Sequence, residues 1–397
     1  MNSTFYENRY RDDKVFDACG LFGIMDVTGQ CFSGRDIVEG INNMVERGNG
    51  LGAGFAVYGC YPKYADCYAF HVMYTELNSR PQVEAFLRES FVLVHAEEVP
   101  HQSASDLLAP PLIWRYFLKV GDSDGIRTAE DEAEYVVEKV MEVNTAGQGA
   151  YIYSSGKNVG VFKGVGLPGQ IAEYFGIAEY LGYIWTAHAR FPTNTPGWWG
   201  GAHPFSILDW TVVHNGEISS YGVNRRYLEM QGYHCTMHTD TEVLAYAADF
   251  LMRRHSLPVE VAVKVMAPPL WSEIGRMKSQ ERVLYRTLRQ VYSSMLVNGP
   301  FAVIIARQEE MIGLPDRIRL RPLTAAIGGN MLYLSSEEAA IRLVCPYPQR
   351  VWTPMGGEPV VGRLGVPLQA EKVHFLERAS PGLRVHSFSY AAQGESA

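Results

Sequence analysis

Cys19-Gly20-Leu21-Phe22-Gly23-Ile24-Met25 is the stretch on which the reading of this chain turns. A cysteine followed by glycine and a short apolar run spells a β-strand with a thiol at its leading end. The residues before it carry many charges and end in Asp17-Ala18. Cleavage between Ala18 and Cys19 would place a free α-amine and a thiol on one residue. An α-amine titrates near about 7.7–8.0, against about 10.4 for a lysine amine, so it accepts a proton near neutral pH. A nucleophile that carries its own base needs no separate histidine. Taken alone, a cysteine that opens an apolar strand is as readily a small core residue, so the rest of the chain must decide.

Working outward, the 397 residues suffice for two domains or for one large α/β domain with insertions. Apolar residues make up 47% and aromatic residues 12%, enough for a substantial core and against a disordered chain. A formal charge of -8 without any basic block argues against nucleic acid as the main partner. The apolar runs are strand-sized, so no membrane span is expected, and residues 1–18 lack the apolar core of a secretory signal. The six cysteines (19, 31, 60, 67, 235 and 345) form no C-x-x-C pair. Reduced thiols in a cytoplasmic protein are the expectation.

Val27-Thr28-Gly29-Gln30 reads as a turn, and Ile37, Ile41, Met44 and Val45 share one face of a helix over 36–47. Further strands are expected at 52–58, 69–74 and 91–94, and a helix at 81–90. The signal weakens from His101 to about Gly149, apart from a helix over 130–143. Tyr151-Ile152-Tyr153 and Val159-Gly160-Val161-Phe162 read as the arms of a hairpin turning at Ser154-Ser155-Gly156-Lys157. Helix 171–180, strands 183–187 and 210–214, and a helix capped by Asp240 and running to Phe250 follow. The span 257–296 is mainly helical, with strands at 301–306 and 331–334 and shorter ones to about Val361. Strands and helices come in blocks, which favours packed sheets over a βαβ wheel.

Four short motifs stand in order: Cys19-Gly20, His188-Ala189-Arg190-Phe191-Pro192-Thr193-Asn194, His214-Asn215-Gly216-Glu217-Ile218 and Thr239-Asp240-Thr241-Glu242. An arginine at a strand end, beside a threonine, can grip a carboxylate in bidentate fashion. Asn-Gly at a strand end offers a side-chain amide and an unencumbered N–H, the two donors of an oxyanion hole. An aspartate at a helix start can bind an ammonium. Together they suit a free amino acid with an amide at its far end, which is glutamine. Singly, Asn-Gly is a turn, Arg190 a structural charge and Asp240 a helix cap. His188, His203, His214 and His238 show no metal-ligand spacing.

The order and spelling of these motifs resemble class II glutamine amidotransferases, the family with an N-terminal nucleophile. The resemblance runs from Cys19 to roughly Val361 and takes in Met44-Val45-Glu46-Arg47-Gly48 and Gly52-Ala53-Gly54. Arg190 to Thr195, His214 to Ile218, Gly299 to Val303, Asp316 to Leu323, Ser335 to Glu338 and Gly357-Glu358-Pro359 are most similar to the amidotransferase domain of glutamate synthase. The stretch 154–158 resembles the stand-alone version found where that enzyme is split into subunits.

What the resemblance implies is an α+β fold, a four-layer αββα sandwich of two antiparallel sheets. It implies a leader over 1–18, an amidotransferase domain over 19–365 with an insertion at about 75–180, and a C-terminal extension over 366–397. Cys19 would attack the glutamine amide, Asn215 and Gly216 would hold the oxyanion, and Arg190, Thr193 and Asp240 would bind the substrate's α-carboxylate and α-amine. No metal and no cofactor are expected in this chain. The ammonia would pass to a separate synthase subunit, most in keeping with glutamate synthase, whose flavin mononucleotide and iron–sulfur groups would sit in that partner. Two alternatives stay open: service to another synthase, such as one making N-methylglutamate, and a non-catalytic glutamine-sensing subunit that keeps its leader.

Overall fold

The cysteine strand lies in the middle of the largest sheet of the computed structural model, which describes residues 19–103, 107, 109–121, 126–147, 149–191 and 197–369. In chain order, β1 (Gly20–Asp26) leads to the short β2 (Phe32–Ser33), helix α1 (Arg35–Asn42), β3 (Ala53–Tyr58) and β4 (Tyr68–Tyr74). Next come α2 (Arg80–Ser90), β5 (Val92–Glu98), β6 (Leu112–Lys119), α3 (Ala129–Thr145), β7 (Ala150–Ser154) and β8 (Val159–Gly164). Then follow α4 (Pro168–Phe175), β9 (Leu181–Gly182), β10 (Ile184–Ala189), β11 (Phe205–Ile207) and β12 (Trp210–Gly216). The helices α5 (Tyr221–Met230), α6 (Asp240–Asp249), α7 (Val259–Met266), α8 (Trp271–Arg276) and α9 (Ser279–Val291) form the next block, with a π-helical turn over Phe250–Arg254. The chain closes with β13 (Phe301–Arg307), β14 (Glu310–Pro315), β15 (Thr324–Gly328), β16 (Met331–Ser335), α10 (Glu338–Val344), β17 (Arg350–Trp352) and β18 (Val360–Arg363).

The first sheet runs β17-β15-β16-β1-β10-β3-β8 and the second β11-β12-β13-β14-β18. Every strand pair among the described residues of these two sheets is antiparallel. β1 and β10 face β12 and β13 across the sandwich, α1 and α4 cover the first sheet, and α6 lies on β11 and β12 of the second. This is the αββα arrangement. A third sheet, β5-β6-β4-β7, stands with α2 and α3 beside β8 and β11.

β1 is buried along its whole length because its side chains serve both layers. Strand alternation sends Phe22 and Ile24 into the core shared with α1, and Leu21 and Met25 into the core between the sheets. Gly40 of α1 sits directly over Phe22: a Cβ there would fall 2.0 Å from the Phe22 ring, which is fully buried and cannot withdraw. Gly40→Ala should therefore destabilise the protein by about 1–3 kcal/mol despite the better helix propensity of alanine. Denaturant unfolding would check it; an unchanged midpoint would mean the α1–β1 contact is loose.

Three expectations need correction. β7 and β8 do not form a hairpin: β7 pairs with β4 in the third sheet and β8 with β3 in the first. Both strands are apolar and the turn between them is genuine turn sequence, but the partners that bury them lie elsewhere. Second, the weak region after His101 contains a strand, β6. Arg115 breaks its apolar run, yet is itself buried, donating to Glu97 at 3.1 Å and to the Tyr61 hydroxyl at 3.1 Å. Third, Asp240 is not the cap of its helix. Thr239 is, its hydroxyl accepting from Glu242 N at 3.2 Å, which leaves the Asp240 carboxylate for other partners.

Candidate active site

Cys19 stands one residue ahead of β1, and Gly20 pairs with Ala189 at the end of β10. That register delivers Arg190 and Phe191 to the thiol. Phe191 N donates to Cys19 Sγ at 3.4 Å, and Sγ lies 3.8 Å from the Phe191 carbonyl. Arg47 Nε donates to the Cys19 carbonyl at 3.0 Å while its Nη1 pairs with Glu337 at 2.6 Å. Although the residue is partly exposed, its thiol is enclosed, and burial pushes it up to about 11. The Phe191 N–H and the Arg190 charge pull the other way and lose. At neutral pH the sulfur is therefore a protonated thiol, and attack requires a base to take its proton.

Asn215 and Gly216 end β12. Asn215 is fully buried; its Nδ2 donates to Ser336 Oγ at 3.3 Å, and its Oδ1 has no hydrogen-bond partner among the described residues. Ser336 Oγ also accepts from Leu21 N at 3.1 Å, so one hydroxyl ties the cysteine strand to the Asn215 amide. Sequence reasoning missed Ser336 as a site residue. Its only trace was the Ser335-Ser336-Glu337-Glu338 spelling, which names no function. Gly216 has φ +144°, and a Cβ would meet the Pro300 carbonyl at 1.9 Å, so no side chain fits there.

Asp240 takes the first position of α6, where the helix N-terminus favours negative charge. Its carboxylate accepts from Ile218 N at 3.0 Å and from Thr241 Oγ1 at 3.3 Å, and lies 3.5 Å from His214 Nδ1. Burial pushes the carboxyl up, but His214 and these donors outweigh it, and the group titrates below its ordinary value. The Thr241 hydroxyl also lies 2.5 Å from His203 Nε2 and 3.3 Å from His214 Nδ1, so Thr241 joins both histidines to the Asp240 carboxylate. His203 also stacks on His188 at 3.9 Å, and His188 Nε2 donates to the His214 carbonyl at 2.9 Å, immediately before Asn215. Burial pushes His188 down to about 3 and His203 well below its usual value, so both are neutral. These histidines form a hydrogen-bonded floor beneath Asp240 and Asn215. Among the described residues, no group of His, Cys, Asp and Glu converges as metal ligands do.

Arg190 is 3% exposed, held through its backbone by Gly52 (2.9 Å) and Asn49 (3.3 Å). Its charge and that of Asp240 both act on the Cys19 thiol. Cys19, Arg190, Asn215, Gly216 and Asp240 are thus brought to one place. Thr193 lies outside the described residues.

The fold is an α+β sandwich, and the model of the class-II glutamine amidotransferases matches residues 91–347. The chain belongs to that family. It is 56% identical over 355 residues to an uncharacterized protein of Archaeoglobus fulgidus, covering 89% of this chain and 94% of that one. A protein of Methanothermobacter thermautotrophicus, provisionally described as a glutamine amidotransferase, is 24% identical over 82% of this chain and 93% of its own. The large chain of the NADPH glutamate synthase of Bacillus subtilis is 24% identical over 52% of this chain, but over only 15% of its own length. An amidophosphoribosyltransferase of Methanocaldococcus jannaschii is 25% identical over 47% of this chain and 35% of its own length. No helix among the described residues is long and apolar enough to cross a membrane.

Proposed function

We propose that this chain hydrolyses glutamine to glutamate and ammonia through a thioester on Cys19, and that it delivers the ammonia to a separate synthase of the glutamate synthase type. The observation that carries the hydrolytic reading is the convergence on one enclosed thiol of a buried arginine, an ionised aspartate and a strand end bearing Asn215 and Gly216. In this reading Arg190, with Thr193, holds the α-carboxylate and Asp240 the α-ammonium, which fixes the side-chain amide over Cys19. The α-amine of a processed Cys19 takes the thiol proton, and sulfur attacks the amide carbon. Asn215 Nδ2 and the Gly216 N–H stabilise the oxyanion, the C–N bond breaks, and the amine proton leaves with ammonia. Water then cleaves the thioester. The likeness over 82% of this chain to a protein provisionally described as a glutamine amidotransferase supports the amidotransferase reading. The motif spelling and the glutamate synthase match support the choice of synthase. The flavin and iron–sulfur chemistry would then belong to the partner.

Intact mass before and after treatment with diazo-oxo-norleucine tests the core of this. Loss of residues 1–18 and one adduct on Cys19 is the expected result; a full-length, unlabelled chain would favour the sensing subunit instead.

The floor beneath Asp240 yields a sharper prediction. Thr241→Val keeps the side chain's shape but removes the hydroxyl that joins Asp240 to His203 and His214. The KM for glutamine should rise about tenfold, the equivalent of one charge-assisted hydrogen bond of about 1.5 kcal/mol. The turnover number should change less, since Asn215 and Cys19 are untouched. Steady-state kinetics decide it, and equal losses in both constants would mean general disorder of the site.

A further inference from the structure

The loop that joins β14 to β15, Asp316 to Leu323, is built around one buried carboxylate. Asp316 accepts from Ile318 N (3.0 Å), Leu320 N (2.8 Å), Arg321 N (3.3 Å) and Phe301 N (3.2 Å). Gly356 packs so closely behind the loop that a Cβ there would meet the Arg317 carbonyl at 2.2 Å. A loop fixed so firmly would be expected to turn its apolar side chains inward. Instead Ile318 and Leu320 are each 55% exposed, alternating with Arg317 and Arg319. Arg289 of α9 comes close enough for its charge and that of Arg317 to oppose each other. Among the described residues, Arg289, Arg317, Arg319 and Arg321 have no carboxylate partner; their hydrogen bonds go to Pro269 O and Asn298 Oδ1, and the buried Nε of Arg321 has none. A cavity of about 350 Å³ opens between Arg319, Arg321 and Thr353.

Two further facts give this patch a direction. The whole chain carries a net charge of -8, so a cluster of arginines with no carboxylate partner among the described residues is a local exception. The patch is also joined to the site: Phe301, whose N–H binds the Asp316 carboxylate and whose carbonyl accepts from Asp316 N at 2.8 Å, is the strand partner of Gly216. Exposed aliphatic side chains flanked by arginines have the make-up of a protein interface. Like charges crowded together cost free energy until an opposite surface arrives.

We propose that this loop, with Arg289, is the surface on which the ammonia-accepting protein docks, and that the partner meets it with a carboxylate-rich face around an apolar centre. The proposal rests on the amidotransferase reading above and adds the place and chemistry of the contact. Docking here puts the acceptor beside the strand end at which ammonia is released.

The test uses the full processed chain with the flavin-containing synthase subunit from the same source, and the double variant Arg317→Glu/Arg319→Glu. Neither residue belongs to the catalytic or glutamine-binding set. Glutamine hydrolysis by the free variant should stay within twofold of the parent. Glutamine-driven product formation by the mixture should fall at least tenfold, while formation driven by ammonium salt is unchanged. A variant with the same charge change elsewhere, Arg88→Glu/Arg226→Glu, should behave as the parent. For the parent, glutamine-driven formation should weaken as salt rises from 50 to 500 mM, because the contact is electrostatic, on a scale of about 10 Å at 0.1 M. If the double variant supports the parent's glutamine-driven rate, the docking surface is wrong and the amidotransferase reading stands. If the parent hydrolyses glutamine but never drives the synthase, the proposed acceptor fails and the docking proposal fails with it.

Discussion

Glutamine hydrolysis should rise by about 10²–10⁴-fold, the usual contribution of a general base, when the Ala18–Cys19 bond is cut in an otherwise unchanged protein. A protease recognition sequence placed immediately before Cys19 allows both states to be measured on one preparation. The physical reason is the enclosed thiol. Burial holds it near 11, so almost none is ionised at neutral pH. His188 and His203 are neutral and buried beneath Asp240 and Asn215, with Nε2 turned to the His214 carbonyl and the Thr241 hydroxyl, and the hydrogen-bond partner of the Cys19 sulfur is Phe191. An α-amine on Cys19 itself is within reach of the sulfur by covalent structure, and it titrates near about 7.7–8.0. Activity of the cleaved form should accordingly rise with pH as that amine loses its proton. Equal rates before and after cleavage would remove the N-terminal amine from the mechanism and require another base.

The second large effect belongs to Asn215. Asn215→Ala should lower the turnover number by about 10²–10³-fold with the KM for glutamine nearly unchanged, as expected for a donor that matters when charge develops on oxygen. Ser336→Ala should cost less, about tenfold, because Ser336 only aims the Asn215 amide and can be replaced in part by water. Single-turnover measurement of thioester formation separates the two steps. A rise in KM without a fall in turnover for Asn215→Ala would make it a ground-state contact and leave the oxyanion to other groups.

The residues of this candidate site could be named from the sequence because they lie at element ends, where few residue types are tolerated. Gly216 is an example: its backbone angle and its contact with the Pro300 carbonyl exclude every side chain, so the Asn-Gly spelling has a steric cause. Arg190 and Asp240 could be placed because a strand end and a helix start are visible in periodicity. Ser336 was hidden, since a serine after a strand looks like any loop serine until the fold sets it between Leu21 and Asn215. His203 was hidden for a related reason, as its partner Thr241 lies 38 residues away. The fold shows the same division. β1 announces itself as an apolar run, whereas β6 is disguised by an arginine whose burial only tertiary partners make tolerable. The partners of β7 and β8 could not be read at all, because pairing depends on which edges are free.

The tie between Leu21, Ser336 and Asn215 also bears on when the protein becomes active. Cys19 leaves the ribosome early, while the Ser336 hydroxyl that holds Leu21 and Asn215 comes 317 positions later, and β1 gains its second neighbour, β16, only then. A half-made chain therefore holds a cysteine without a site. Under the proposed function, an incomplete molecule would neither consume glutamine nor set its ammonia loose, because the site closes only with the last strands of the sheet.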